Sequence, residues 1–136
     1  MILKDDNHWG DLALEDVEEE AVLRALADDY SRQIIVATIQ EALSVAELSR
    51  KHGIPVATAY RRISRLVEDR LVAKERARLS EEGKWFDLFR STVREIEVHL
   101  DSQGINVATS LNEDMVNRLT RLWGDLRGAR EAGWLR

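Results

Sequence analysis

The stretch SVAELSRKHGIPVATAYRRISRLVEDR, residues 44–70, leaves a chain few ways to fold. Ser44 with Glu47 three residues on is a capping box, in which each side chain takes the other residue's amide. Val45 and Leu48 fall on one face of the short helix it opens. His52-Gly53 closes that helix, because glycine readily takes the left-handed conformation that satisfies the last carbonyls. Pro55 pre-sets φ for a second helix. From Val56 onward, Ala59, Ile63, Leu66 and the stem of Arg70 mark a buried stripe. Thr58, Arg61, Arg62 and Arg65 mark the opposite side. The pattern is helix, tight turn, helix, with a cationic outer face on the second helix, and it reads as a helix-turn-helix.

The whole-chain charge of −5 hides a partition. Residues 1–30 are net −8, residues 31–79 net +5 and residues 80–136 net −2. Positive charge is concentrated where phosphate contact would need it, and the rest is acidic. The chain has no cysteine, which excludes disulfides, thiolate metal sites and cysteine redox sensing. Its three histidines, His8, His52 and His99, are too scattered for a metal site. No apolar run reaches the length of a membrane span, and the N-terminus lacks the pattern of a signal peptide. These features predict a cytoplasmic protein with no cofactor and no bound metal.

Taken in order, residues 1–15 read as an N-terminal arm. Asp16 is placed to cap a helix with a glutamate-rich first turn, Glu18 to Glu20, favourable at the positive end of the helix dipole. Val17, Ala21 or Val22, Leu23 and Leu26 form its apolar stripe. A second helix is predicted from Tyr30 to Glu41, buried through Ile34, Ile35, Ala37 and Ile39. After the helix-turn-helix the period changes to two. Leu71–Leu79 reads as a strand with Lys74, Arg76 and Arg78 on one side, Ser80–Gly83 as a turn, and Lys84–Arg90 as the return strand. A basic hairpin directly after a helix-turn-helix is a wing. Glu95–Leu100 and Ile105–Leu111 form a further hairpin, predicted to be buried on one face and solvated on its acidic face. A last helix, from about Glu113 to Arg130, carries the stripe Met115, Leu119, Leu122, Trp123 and Leu126. A helix with such a stripe either docks on its own domain or pairs with its twin; a completed winged core does not need it, so it is assigned to dimerisation.

The segments LRALADDYSRQIIVATI, SVAELSRKHGIPVATAYRRISRLVEDRLV and the hairpin ending in FDLFR together resemble the ArsR-like winged helix-turn-helix regulators. The AYRRISRLVEDRLV segment is similar to archaeal members. The resemblance covers residues 22–91. It implies a homodimeric transcriptional regulator whose third core helix, Pro55–Asp69, reads DNA through Val56, Thr58, Arg61, Arg62 and Arg65. The metal sites of some relatives do not carry over, because the Cys and His ligands are missing.

The expected fold is thus α+β: a winged helix-turn-helix, with a three-helix core and a β-wing, plus an additional β-hairpin and a C-terminal helix. The expected division is residues 1–15 arm, 16–91 DNA-binding domain and 92–136 hairpin with dimerisation helix. The expected partner is double-stranded DNA. Thr58 and Arg61 face base edges, and Arg62, Arg65, Lys74, Arg76 and Arg78 meet phosphates, with Val56, Tyr60 and Lys84 in the same set. A second reading is a winged-helix protein–protein module of the transcription machinery that reads no bases, as its acidic surface would suit. No phosphate loop, nucleophile–base pair or metal spacing supports an enzyme. Whether a small-molecule effector binds between the added hairpin and the last helix is left open, because no residue pattern names a ligand.

Overall fold

The computed structural model describes residues 17–118 and 121. The predicted arm, its junction at Asp16, and Leu119, Leu122, Trp123 and Leu126 lie outside the described residues. Four helices come first: α1 (Glu19–Ala27), α2 (Asp29–Ala37), α3 (Val45–His52) and α4 (Val56–Glu68). Four strands follow: β1 (Val72–Leu79), β2 (Trp85–Ser91), β3 (Val93–Asp101) and β4 (Gly104–Leu111). They make two separate antiparallel hairpins, β1–β2 and β3–β4, and residues 113–118 are helical again. The fold is the expected α+β winged helix-turn-helix with an added hairpin. No helix of the described residues is long and apolar enough to cross a membrane.

The helical core is built from the stripes that the sequence marks. Val22 and Ala25 of α1, Ile34 and Ile35 of α2, Leu48 of α3 and Ala59, Ile63 and Leu66 of α4 are buried together. Leu71, Val72 and Val93 close the cluster from the strand side. Both bonds of the capping box form: Glu47 N–H donates to Ser44 Oγ at 3.1 Å, and Ser44 N–H to Glu47 Oε1 at 3.0 Å. Gly53 takes φ +68°, the left-handed conformation that ends α3 and turns the chain into α4.

Helix α2 ends four residues short of the predicted Glu41. Thr38 leaves helical geometry, and its hydroxyl donates back to the Ile34 carbonyl at 2.8 Å. The released segment brings Leu43 alongside Phe89, with backbone bonds of 3.0 and 2.8 Å in the two directions. Leu43 thereby ties the α2–α3 loop to the wing. Arg70 is also displaced from its predicted place on the α4 stripe. It lies beyond the helix end with φ 65°, where the chain turns into β1.

The two-residue alternation predicted for β1 is interrupted. Lys74 pairs with Phe89 and Arg76 with Leu88, so Glu75 is the extra residue of a β-bulge. The bulge puts Lys74 on one face of the ribbon and Arg76 with Arg78 on the other, correcting their assignment to a single side. It also turns Glu75 inward, where its carboxylate is fully buried against Arg90. Arg90 donates to Glu75 Oε2 at 3.0 Å, to the Ile39 carbonyl at 3.0 and 2.9 Å, and to Asp114 Oδ2 at 2.6 Å. Asn112 adds bonds to the Ile39 and Ser91 carbonyls. One guanidinium therefore joins the wing base, the α2–α3 loop and the start of the last helix.

Met115 is fully buried within this chain, against Ala73, Leu111 and Val116. It docks residues 113–118 on the wing sheet, so its side chain is not free for the dimerisation stripe to which it was assigned. The added hairpin also departs from expectation. Val93, Ile96 and Val107 pack on the core, while Val98, Leu100 and Ile105 stay exposed.

Candidate nucleic-acid interface

The outer surface of α4 is set by what its inner surface buries. With Ala59, Ile63 and Leu66 inside, helical geometry turns Val56, Ala57, Tyr60, Arg61 and Ser64 outward. Val56 is 52% and Tyr60 59% exposed, so both side chains are open to a partner. Pro55, with φ −56°, precedes the first turn and aims it outward. Sequence reasoning missed Ala57 and Ser64 as members of this face. The signal was present: they follow the same three- and four-residue spacing as Tyr60 and Arg61, opposite the buried stripe.

The adjacent arginines have different surroundings. Among the described residues Arg61 donates one side-chain hydrogen bond, to Thr58 Oγ1 at 3.4 Å, and has no carboxylate partner. Arg62 turns back towards the scaffold. Its Nε and Nη2 donate to the two oxygens of Asp28, at 2.8 and 3.0 Å. Asp28 also accepts from Ser31 N–H, capping α2. The Arg62 hydrogen bond, helped by Ser31 and opposed by burial, lowers the Asp28 carboxyl from 3.8 to about 2. The guanidinium is held charged in turn. The double bond to Asp28 fixes how α4 is rolled against α1 and α2.

The wing is joined to the helix-turn-helix by a second ion pair. Arg78 Nη2 lies 3.0 Å from Glu47 Oε2, on the carboxylate whose other oxygen completes the capping box. Partial burial pushes the Glu47 acid upward, but Ser44 N–H and Arg78 outweigh it, and the group sits below its usual value. Arg78 also stands over the Phe86 ring, 5.1 Å from its centre, a cation–π distance. Between α3, Tyr60 and the wing runs a groove lined by Arg50, Arg78, Lys84 and the exposed Trp85. Arg50 and Trp85 were also missed by sequence reasoning, because their place beside α4 depends on where the wing folds.

Most other predicted cations are paired. Lys74 meets Asp87 at 3.3 Å, Arg76 meets Glu75 at 2.8 Å, and Arg65 meets Asp69 at 3.1 Å. Lys84 joins Arg61 in having no carboxylate partner among the described residues. The structure thus brings Val56, Tyr60, Arg61, Arg78 and Lys84 around one groove and exposed helix face. It directs Arg62 into the scaffold. Among the described residues no cluster of His, Asp or Glu is placed to hold a metal.

Residues 21–76 match the family model of the IclR helix-turn-helix domain. The match runs from α1 through α4 into β1 and covers less than half of the chain. No curated protein matches the chain. The chain therefore carries a helix-turn-helix DNA-binding domain at residues 21–76, with a wing attached. The remaining strands and the C-terminal segment fall outside the match.

Proposed function

We propose that this protein is a sequence-specific regulator of transcription that binds double-stranded DNA as a homodimer. The observation that carries the reading is the outward face of α4, where Arg61 stands beside Tyr60 and Val56 without a carboxylate partner among the described residues. A helix of this size fits the major groove, and an arginine near its start can make paired hydrogen bonds to guanine. Thr58, which Arg61 already touches, positions that guanidinium or meets a base itself. Lys84 and Arg78 on the wing, with Arg65 on the helix, serve phosphates beside the groove. Like Arg65 and Arg78, Lys74 and Arg76 contribute only where phosphate displaces their carboxylate partners. Arg62 acts as a positioning residue.

The reading divides the chain into an arm at 1–15, the DNA-binding domain at 16–91 and a dimerisation region at 92–136. Leu119, Leu122, Trp123 and Leu126 form the contact in that region. The placement among ArsR-like regulators of archaeal type rests on the AYRRISRLVEDRLV segment followed directly by a wing. The reading includes no catalytic step and no cofactor.

The pairing of so many cations favours a second reading, a winged-helix module that docks on another protein. Selection of bound genomic fragments, followed by fluorescence anisotropy on the recovered sites, separates the two. Enrichment of an inverted repeat bound at least a hundredfold more tightly than random duplex supports the regulator. Equal, weak binding to every sequence supports the docking module.

A further inference from the structure

The apolar face of the β3–β4 hairpin packs on the core through Ile96 and Val107, and beyond them nothing among the described residues covers it. In its register Val98 faces Val107 and Leu100 faces Ile105, so these side chains stand together. Val107 is partly buried against the core, but Val98 is 41%, Ile105 43% and Leu100 75% exposed. The opposite face already serves as the solvent face, with Glu95, Glu97, His99 and Asp101. A two-stranded ribbon is marginal by itself, and contiguous exposed apolar side chains on it mark a contact surface.

We infer that this face receives the C-terminal segment, residues 119–136, of a second copy of the chain. The inference rests on the homodimer reading and specifies which surfaces meet. Residues 119–136 supply the apolar side chains Leu119, Leu122, Trp123 and Leu126, and four arginines against two acids. The ribbon is only two strands wide, so the acids of its far face surround the apolar strip with negative potential. Charge therefore favours this occupant and disfavours the N-terminal segment, whose residues 1–16 hold five acids and one lysine.

The homodimer reading assigns the C-terminal segment to the other protomer. The chain leaves β4 at Leu111, at the hairpin base, and residues 113–118 run along β1 from Ala73 towards Glu75. Met115 packs on Ala73, and Arg118 lies 4.0 Å from Glu75. Ile105 lies about 20 Å along β4 from Leu111, at 3.3 Å per residue. A two-fold exchange covers both hairpins at once, each copy giving its segment and receiving the other's.

The chain has no native cysteine, so introduced thiols report contacts without background. Leu100→Cys chains are mixed with size-tagged chains carrying Leu122→Cys or Leu126→Cys. After subunit exchange, a bis-maleimide is added. A mixed dimer exceeding the 100–100 product, and suppressed by excess wild-type chain, is the expected result. Predominant 100–100 product overturns the inference, as does closure within a single chain that carries both thiols. A wild type that sediments as a dimer but yields no mixed product overturns it as well. A wild type that stays monomeric at every concentration sinks the homodimer reading together with this one. As an independent check, Leu100→Asp with Ile105→Asp should raise the dimer dissociation constant at least tenfold with unchanged far-ultraviolet circular dichroism. An unchanged constant speaks against the hairpin.

Discussion

Arg61 and Arg62 stand one residue apart on α4 and are about 100° apart around it, and that rotation decides their roles. Arg61→Ala should cost about 1–3 kcal/mol of specific binding and relax one base preference, as anisotropy on matched and mismatched duplexes would report. Arg62→Ala should act mainly on stability. It leaves Asp28 with Ser31 alone and should cost about 1 kcal/mol in urea denaturation, with base preference unchanged. The same pair sets a pH dependence. The folded Asp28 carboxyl ionises near 2 against 3.8 when free, so its contribution is complete above about pH 4. It is lost as the pH falls through 2, below which the acid is protonated in both states. Both side chains are about one-third exposed, and solvent screening reduces the contribution to about 1–2 kcal/mol. Asp28→Asn should remove that part of the acid-unfolding curve and leave the curve flatter between pH 4 and 2.

Among the elements, the wing is the one whose orientation rests on a buried charge. Arg90 and Glu75 are paired out of solvent, and Asp114 and the Ile39 carbonyl accept three further N–H groups of the guanidinium. Asp114 is itself held below its usual ionisation range by the Arg90 hydrogen bond. Such a pair is weak evidence of net stability, but removing one partner strands the other. Arg90→Met should therefore destabilise the fold by about 3–5 kcal/mol, whereas Arg90→Met with Glu75→Leu should recover much of that loss. Denaturant melts of the two variants check this. A double variant no better than the single one would show that the backbone bonds to Ile39 dominate.

At the scale of the whole molecule, DNA affinity and oligomeric state are the quantities to measure. Binding to DNA releases counterions in proportion to the phosphates newly neutralised. Most cations around the α4 face and wing already hold carboxylates, so the salt slope of each protomer should be shallow. About −2 to −3 is expected, where seven free cations would give about −6. Duplex titrations at several salt concentrations read this directly. For the dimer, the point of truncation matters. Asn112, Asp114 and Met115 belong to the fold of the domain, so a chain ending at Leu111 should be destabilised. A chain ending at Arg118 should remain folded and sediment as a monomer. Leu119→Ala with Trp123→Ala in the full chain should do the same, with weakened operator binding.

What the sequence determined by itself was local. The capping box at Ser44, the left-handed Gly53, the α4 stripe of Ala59, Ile63 and Leu66, and both hairpins follow from neighbours within a few residues, and all are present in the structure. So was the concentration of positive charge that pointed to DNA. Only the tertiary structure decided which of those charges are available. Asp28 reaches Arg62 across 34 positions, Glu47 reaches Arg78 across 31, and Arg90 reaches the Ile39 carbonyl across 51. The same holds for the bulge at Glu75 and the early end of α2, because each satisfies a group on a distant segment. Propensity and periodicity describe a residue's own turn or strand. Ion pairing and burial depend on which remote segment the fold brings within about 3 Å, and no local pattern carries that distance.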